Sequence, residues 1–547
     1  MTKRPNPTVM VVIPARGGSR GIPRKNLRSL HGRPLIAYSI ETALRSSFSP
    51  SVVVSSDDDE ILSVAQALGA TPHRRPAGLS HDSATLDGVV FDAYAAANDR
   101  LGYSPDVVVT MQPTSPLVAT STVDRAIERL LSQAHVDTVL TVSDDRHLRW
   151  VESDRGIVPA YAARLNRQHL PGTYRETGGV FATRASALRP TNRIGGAVDV
   201  IEVHGGEAID IDGVDDWALC EWYLGRREVL FVVTGNAKVG LGHAHNALAV
   251  ADALTRHRIR FLVDRDSELA ARMIETTNYE VIVQSREALA DDVNALAPDL
   301  VINDILDTSV EYVRALKHAG RLVVNFEDLG PGASHADLVI NAIYPEQQRG
   351  ANHYFGHRYY CPRPEFIVSP AEPVRDDVKT VLLTFGGADP SNLTARVLRV
   401  IGSEAARNGT TIRVILGLAY QHSLPVDLPD NVEILHSVPN IAAHMRDADI
   451  AFTSAGRTTF ELACVGTPTI VIAQNDRELT HLFASDDNGF VNLGLASRVS
   501  DAAIGAAYHQ LAESAVVRRE LQRRLTRDNL SSGLERVRLL IEELMTG

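Results

Sequence analysis

The residues best suited to chemistry in this sequence are a loop rich in glycine and cations near the start and two aspartates near position 211. The loop, residues 13–26, has glycines that let backbone N–H groups approach phosphate oxygens and side chains that neutralise phosphate charge. These are Gly17, Gly18 and Gly21, with Arg16, Arg20, Arg24 and Lys25. Asp210 and Asp212 flank one isoleucine, so on an extended strand both carboxylates share a face, as ligands of a Mg²⁺ ion bridging phosphates would. Together the two groups favour Mg²⁺-dependent binding of a triphosphate.

An apolar run, residues 9–13, precedes this loop and predicts a buried parallel strand. The loop then follows the carboxyl end of that strand, which is where open α/β sheets bind ligands. Each group also has a plainer interpretation on its own. A glycine-rich loop can be only a tight turn, and an Asp-Ile-Asp segment can cap a loop.

Four motifs in order, between Met10 and about Trp222, resemble the acylneuraminate (CMP-sialic acid synthetase) family of cytidylyltransferases. They are the loop 13–26, residues 75–85 (RPAGLSHDSAT), residues 112–117 (QPTSPL) and the Asp210/Asp212 pair. The resemblance implies that Arg16, Gly17, Ser19, Lys25 and Asn26 hold the CTP phosphates, Arg75 is a second nucleotide contact, Gln112 and Thr177 face the sugar, and Asp210 and Asp212 bind Mg²⁺. Lys25 and Asp212 would be catalytic.

Two positions depart from that family. An Arg often follows the Pro-Leu of the Gln112 motif, whereas this chain has Val118, and the usual Asn-Gly pair near the sugar is Thr177-Gly178. A planar guanidinium pairs well with a carboxylate, so other arginines are candidates for holding the sugar acid. They are Arg164, Arg167 and Arg175, which are equally interpreted as exposed charges.

The chain begins a second set of elements at residue 229, where another apolar run leads into a glycine loop. Strand and helix patterns then alternate to the end, including a helix predicted over residues 247–257. The fold class expected is α/β, with an N-terminal nucleotide-diphospho-sugar-transferase-like Rossmann domain followed by a GT-B-like pair of Rossmann-type domains. The predicted domains are 1–227, 228–370 and 371–547.

The second half resembles nonulosonate-pathway UDP-sugar hydrolases (pseudaminic acid type) and related GT-B glycosyltransferases, over about residues 229–540. The motifs are residues 240–243 (GLGH), the Asn303-Asp304 strand end, residues 385–389 (FGGAD) and residues 454–461 (SAGRTTFE). The resemblance implies that His243 is the catalytic base, that Gly386, Gly387, Ser454, Gly456 and Thr458 contact the UDP diphosphate, and that Glu461 accepts from a ribose hydroxyl. No metal is required there.

Three features of this half leave its chemistry open. An Arg common three residues after the histidine is Asn246 here, and His245 is a further candidate base. Asp304 and Glu327-Asp328 are either cleft carboxylates or solvated strand ends.

The leading hypothesis is a bifunctional enzyme of nonulosonic acid biosynthesis that makes a CMP-sugar and hydrolyses a UDP-diacetamido sugar. The alternatives make the second half a glycosyltransferase or a non-catalytic nucleotide-sugar sensor.

Composition limits the partners. A net charge of −12 and a calculated pI near 5.9 argue against sequence-independent binding to nucleic acid or anionic membranes. Three scattered cysteines, with no signal core and no apolar run long enough to span a bilayer, indicate a reducing cytoplasm. The expected partners are CTP, an acidic nine-carbon sugar and a UDP-sugar. Residues 144–174, rich in Arg and His, are either a homodimer arm, as the resemblance implies, or a surface insertion.

Overall fold

The computed structural model describes residues 7–18, 21–81, 84–102, 104–236, 239–317, 320–345, 350–417, 420–425, 428–436, 438 and 440–546. The chain forms two compact units, Met1–Arg226 and Arg227–Gly547. Both are α/β, with β-branched apolar strands buried between helices. Among the described residues, no helix combines the length and the apolar character needed to cross a bilayer.

The first unit is built from eleven strands and five helices in its described part. The strands are β1 Val9–Pro14, β2 Ser29–Leu30, β3 Arg33–Pro34, β4 Ser51–Ser56, β5 Thr71–Arg74, β6 Val107–Thr110, β7 Thr138–Asp144, β8 Trp150–Ser153, β9 Gly156–Pro159, β10 Tyr174–Arg184 and β11 Val198–Glu202. The helices are α1 Leu35–Leu44, α2 Asp59–Ala67, α3 Leu86–Leu101, α4 Thr120–Ser132 and α5 Val214–Leu224.

Seven of these strands form one sheet in the order β11-β7-β10-β6-β1-β4-β5. The sheet is parallel except at β10, which is antiparallel to both β6 and β7. Strand β1 is buried over its whole length and has parallel neighbours on both sides. The loop 13–26 therefore begins at the centre of the carboxyl edge, and β8 and β9 form a separate exposed hairpin.

The second unit contains two fully parallel sheets. The first is formed by β12 Glu228–Val233, β13 Arg258–Val263, β14 Glu280–Val283, β15 Leu300–Asp304, β16 Leu322–Phe326, β17 Leu338–Asn341 and β18 His353–Phe355. The second is formed by β19 Thr380–Leu383, β20 Thr411–Leu416, β21 Val432–His436, β22 Ile450–Thr453, β23 Thr469–Ala473 and β24 Phe490–Leu495. The helices are α6 Gly242–Ala253, α7 Glu268–Glu275, α8 Leu289–Leu296, α9 Val310–Lys317, α10 Pro364–Ile367, α11 Leu393–Arg407, α12 Ile441–Asp447, α13 Thr458–Val465, α14 Asp501–Glu513, α15 Ala515–Leu525 and α16 Gly533–Thr546.

Both sheets have the Rossmann order. The strand orders are β14-β13-β12-β15-β16-β17-β18 and β21-β20-β19-β22-β23-β24. In each sheet the first strand in the sequence is central, and the order in which strands are added to the sheet reverses beside it. The last helix, α16, returns to the first of the two sheets, where Val537 and Ile541 share a buried cluster with Val229 and Phe231. The expected fold class, α/β with a Rossmann-type pair after the N-terminal domain, is confirmed.

Two local predictions differ from the structure. The helix expected over residues 247–257 begins at Gly242 and ends at Ala253, so His243 lies on its first turn rather than in a loop. The segment containing Asp210 and Asp212 lies outside every described strand. Its polar groups are used elsewhere, because Ile211 N–H donates to Thr114 O at 2.8 Å and Ile211 O accepts from Lys25.

Candidate functional sites

The loop 13–26 of the first unit packs directly against the aspartate segment. Lys25 Nζ donates a 2.6 Å hydrogen bond to Ile211 O, the carbonyl between the two aspartates. A Cβ atom on Gly21 would lie 2.3 Å from Asp212 O, so this close approach requires glycine. The structure therefore brings together two groups that are far apart in the sequence.

Other residues of the loop fix its shape. The Asn26 amide donates to Arg16 O at 2.9 Å, and Asn26 is buried. Gly17 N–H donates to Asp57 Oδ1 at 2.9 Å, and a Cβ atom on Gly17 would lie 2.8 Å from the neighbouring Asp58 Oδ2. The Gly17 N–H is thus used within the protein. Ser19, expected to contact phosphate, lies outside the described residues.

Burial and neighbouring charges shift the pKa values of Asp210 and Lys25. Burial raises the pKa of Asp210, and the negative charge of Asp212 adds to the increase. Burial lowers the pKa of Lys25, against the opposing attraction of Asp212 and Asp210. Desolvation therefore affects the pKa of both Asp210 and Lys25 more than the attraction between their opposite charges does.

The carboxylates suit a hard cation. Asp210 Oδ1 is buried and forms no direct hydrogen bond of normal geometry among the described residues, while the nearby Thr114 hydroxyl acts to lower the pKa of this carboxyl group against the effect of burial. No cluster of three or more His, Cys, Asp or Glu able to hold a metal occurs in the described part of the chain. An ion on Asp210 and Asp212 would complete its shell with water and phosphate oxygens, as Mg²⁺ commonly does. The residues fit Mg²⁺.

Arg75 and Gln112 lie at the same edge of the sheet but differ in exposure. The buried Arg75 guanidinium donates to Ser55 O at 2.9 Å, and burial lowers its pKa. Gln112 lies across from Asp210, with Gly178 between them. A Cβ atom on Gly178 would be 3.1 Å from Gln112 Nε2 and 3.4 Å from Asp210 Oδ2, and its φ is +71°. Glycine at 178 therefore leaves room for both side chains beside the same stretch of backbone.

The Thr177 side chain, expected to face the sugar, is buried and hydrogen-bonded within the protein. Thr177 is 1% exposed, and its hydroxyl contacts Thr141 Oγ1 at 2.9 Å. Its carbonyl accepts from Ser115 Oγ at 2.6 Å. Thr177 thus holds β10 against β7 and against the loop after β6, which is a supporting position.

The arginines expected to clamp a carboxylate differ in their surroundings. Arg164 donates to Tyr161 at 3.4 Å, and Arg167 lies 3.9 Å from Asp144. Asp144 is held mainly by hydrogen bonds from Arg146, which lower its pKa to about 2. Arg175 is the one of the three whose charge acts on Asp210.

The second unit contains a buried histidine–carboxylate pair. His243 Nδ1 lies 2.5 Å from Asp304 Oδ1, and Asp304 at the end of β15 is fully buried. A carboxylate at Nδ1 favours the tautomer with its proton on Nδ1, which leaves Nε2 able to accept a proton. Asp304 is therefore not a solvated strand end. Burial lowers the pKa of His245 to about 4, which makes it a weaker acceptor of a proton.

Sequence reasoning assigned no role to Arg457, which comes from the other sheet. Its Nη1 donates to Asn246 Oδ1 at 3.1 Å and its Nη2 donates to Glu327 Oε1 at 3.2 Å. Asn246 Nδ2 in turn donates to Asp304 Oδ2 at 2.8 Å. Burial raises the pKa of Glu327 to about 7, although Arg457 opposes the increase. These partners lie 211 and 130 positions from Arg457, so sequence spacing gives no signal for them.

The glycine loops of the second unit approach one another. A Cβ atom on Gly387 would lie 3.9 Å from Gly240 Cα, and one on Gly417 would lie 2.5 Å from Gly387 Cα. Gly386 has a φ of +78°. These contacts keep the loop after β19 tight and close to the loop that leads into α6.

The loop after β22 leads into α13. Ser454 is buried, and Gly456 O accepts from the Thr459 hydroxyl at 2.8 Å. Thr458 is the first residue of α13, so Ser454, Gly456 and Thr458 lie at the amino end of this helix. Glu461, one turn along, accepts from Arg363 Nη2 at 2.8 Å and is engaged in an ion pair.

Part of the first unit is similar to a known protein family. Residues 10–160 match the cytidylyltransferase family. N-acylneuraminate cytidylyltransferase A of Danio rerio is 31% identical over 228 residues, which is 40% of this chain and 51% of that protein. The chain spans about half of the length of the first curated relatives that it matches.

Two further similarities extend into the second unit. Spore coat polysaccharide biosynthesis protein SpsG of Bacillus subtilis is 25% identical over 286 residues, 49% of this chain and 84% of that protein, which is more than the first unit contains. The crystal structure of the calicheamicin glycosyltransferase CalG4 covers 58% of this chain and 98% of its own, at 17% identity and a TM-score of 0.42.

Proposed function

We propose that the first unit is a CTP-dependent cytidylyltransferase that activates a nonulosonic acid, that is, a sialic, pseudaminic or legionaminic acid. The observation that carries the proposal is the contact of the loop 13–26 with the aspartate segment, through Lys25 and Gly21. The match of residues 10–160 to cytidylyltransferases supports the same activity. The similarity to an N-acylneuraminate cytidylyltransferase supports the substrate class.

The reaction proposed is an in-line displacement. The anomeric hydroxyl of the sugar attacks the α-phosphorus of CTP, the new O–P bond forms, and the bond to pyrophosphate breaks. Lys25 and Arg16 would neutralise phosphate charge, and the loop would hold the triphosphate in line. Asp210 and Asp212 would hold Mg²⁺, which stabilises charge on the phosphates and the leaving group.

Pyrophosphate release from CTP and a panel of sialic, pseudaminic and legionaminic acids tests this activity. We expect Asp212→Asn to abolish release. Asp215→Asn, which removes the same charge at the exposed start of α5, is the matched control and should retain activity. Full activity of Asp212→Asn would reject the proposed site.

We also propose that the first unit dimerises through the hairpin β8–β9. Trp150 is 56% exposed and Ile157 is 74% exposed, an unusual exposure for such large apolar side chains. Light scattering should show a dimer that Ile157→Asp converts to a monomer. A monomeric native chain would reject this part of the proposal.

For the second unit we propose transfer of the glycosyl group of a UDP-sugar to an oxygen nucleophile, with His243 as base. The His243–Asp304 pair beside the glycine loops supports the base. Similarity to a polysaccharide biosynthesis protein supports a sugar hydroxyl as the nucleophile. Hydrolysis, with water as the nucleophile, stays a prediction from the sequence resemblance.

UDP release decides between the two nucleophiles. A transferase releases UDP only when a saccharide acceptor is added, whereas a hydrolase releases UDP from the donor alone. In both cases His243→Gln should remove UDP release and leave pyrophosphate release by the first unit unchanged. UDP binding without any release, with every donor and acceptor tried, would instead favour a nucleotide-sugar sensor.

A further inference from the structure

The buried charges around His243 are unusual in number and in origin. Asp304 ends β15 and Glu327 follows β16 in one sheet, whereas Arg457 comes from the loop before α13 in the other sheet. Asp304 and Glu327 are buried and the Arg457 side chain is only 15% exposed, so these charges must be balanced mainly inside the protein. The contacts between them therefore decide which groups hold protons.

A continuous chain of hydrogen bonds joins Arg457 to the imidazole. Arg457 donates to Asn246, Asn246 donates to Asp304 Oδ2, and Asp304 Oδ1 contacts His243 Nδ1. The Arg457 side chain also passes over Gly242, where an added Cβ would lie 3.2 Å from Arg457 Cδ. The helix turn that carries the histidine is thus packed against this arginine.

We propose that Arg457 is a positioning residue for His243, which it orients through Asn246 and Asp304 and whose protonation it balances together with Glu327. The proposal rests on the proposed function for the identity of the base. Arg457 belongs to the loop that also contains Ser454 and Gly456. The loop expected to hold the nucleotide would then be linked physically to the base.

The net charge of Asp304, Glu327 and Arg457 explains why the pairing of these groups matters for His243. Two carboxylates and one guanidinium leave one negative charge, which a proton on Glu327 would neutralise. Burial raises the pKa of Glu327 to about 7, with Arg457 opposing the increase, so this carboxyl group can take up a proton near neutral pH. Burial keeps the other histidines, tyrosines and the thiol near the cluster neutral: His245, His481, Tyr344, Tyr360 and Cys361. The remaining charged groups are already paired: Arg363 with Glu365 and Glu461, Arg477 with Asp307, and the buried Asp328 with hydrogen bonds from Thr308 and Asn325.

The test measures the titration of His243 itself in the full-length protein. NMR of ¹³C-labelled histidine gives its midpoint, with the signal assigned by its loss in His243→Gln. Arg457→Met removes a positive charge and should move the midpoint to higher pH by about one unit. Glu327→Gln removes a negative charge and should move it to lower pH. The double variant should return towards the native midpoint.

Orientation is tested separately from charge. Arg457→Lys keeps the charge, but one ammonium group cannot reach Asn246 and Glu327 as a guanidinium does, so the midpoint should change little. UDP release should nevertheless fall about tenfold or more in kcat, with a small change in KM. Asn246→Ala should behave in the same way.

Arg518→Met is the matched control. Arg518 is a fully buried arginine of the same unit, but it donates to backbone carbonyls, including Arg375 O and Asp376 O at 2.7 Å. We expect its loss to reduce stability without moving the His243 midpoint.

Several outcomes would overturn the proposal. Midpoints that stay unchanged, or that move in the same direction in Arg457→Met and Glu327→Gln, would do so. If Arg457→Met does not fold, Arg457→Lys decides, and a native kcat for UDP release in that variant rejects the proposal. If His243→Gln retains UDP release, the proposed function fails, while the titrations still judge the link between Arg457 and His243.

Discussion

Gly21→Ala tests whether the loop 13–26 and the aspartate segment must meet. The added Cβ would lie 2.3 Å from Asp212 O, a backbone atom that cannot rotate away. Relief of this contact needs a movement of about 1 Å, because carbon atoms require more than 3 Å from their neighbours. A shift of that size in a positioned site costs about 100-fold in rate. Overpacking of this kind also costs about 1–3 kcal/mol of stability.

Gly196→Ala is the control for this substitution, since Gly196 lies outside the loop 13–26 and its Cβ would meet only Asp137 Oδ2, at an ordinary 3.7 Å. We expect kcat/KM for CTP-dependent pyrophosphate release to fall about 100-fold in Gly21→Ala and less than about threefold in Gly196→Ala. Thermal unfolding shows whether both variants are folded at the assay temperature. Native activity in a folded Gly21→Ala protein would refute the argument that this contact positions the reacting groups.

Three further predictions concern buried polar groups. Asp210→Asn should raise the Mg²⁺ concentration for half-maximal pyrophosphate release at least about tenfold, since one ligand charge is lost; an unchanged requirement would argue against Asp210 as a ligand. Thr177→Val should cost about 1–2 kcal/mol in chemical denaturation, because it removes a buried hydroxyl bonded to Thr141, while activity changes little. The raised pKa of Glu327 stabilises the fold at low pH, and this contribution is lost as pH rises from 4.5 to about 7. The stability of the native chain relative to Glu327→Gln should therefore fall over that range, and a parallel pH dependence would contradict the assignment.

The layered fold was predictable from local pattern. Apolar runs such as residues 9–13 and 229–233 form the central strands of their sheets, because a strand covered on both faces must be apolar throughout. Glycine loops after these strands marked the carboxyl edges where side chains converge. The start of α6 was misplaced by five residues, since no strong capping residue marks it and Leu241 precedes it without a side-chain cap.

The orientation and contacts of individual site residues could not be predicted from local pattern. The resemblance predicts that Thr177 faces a sugar, yet its hydroxyl lies on the covered side of β10. The register of β10 against β7 breaks after Glu176, and this break decides which face of the strand each following residue takes. Arg457 and Glu327 meet only because two sheets face each other. Contacts of this kind depend on the packing of whole layers, which a single sequence does not display.

The two units contain similar sets of charged side chains that differ in their exposure to solvent. Each has two carboxylates near one cation: Asp210 and Asp212 near Lys25, and Asp304 and Glu327 near Arg457. In the first unit Asp212 is exposed, so the excess negative charge is accessible to a cation and its phosphates from solution. In the second unit both carboxylates are buried, so a proton is the counterion that can be gained or lost. Burial, rather than the number of acidic residues, thus separates a site suited to a metal from a site suited to a general base.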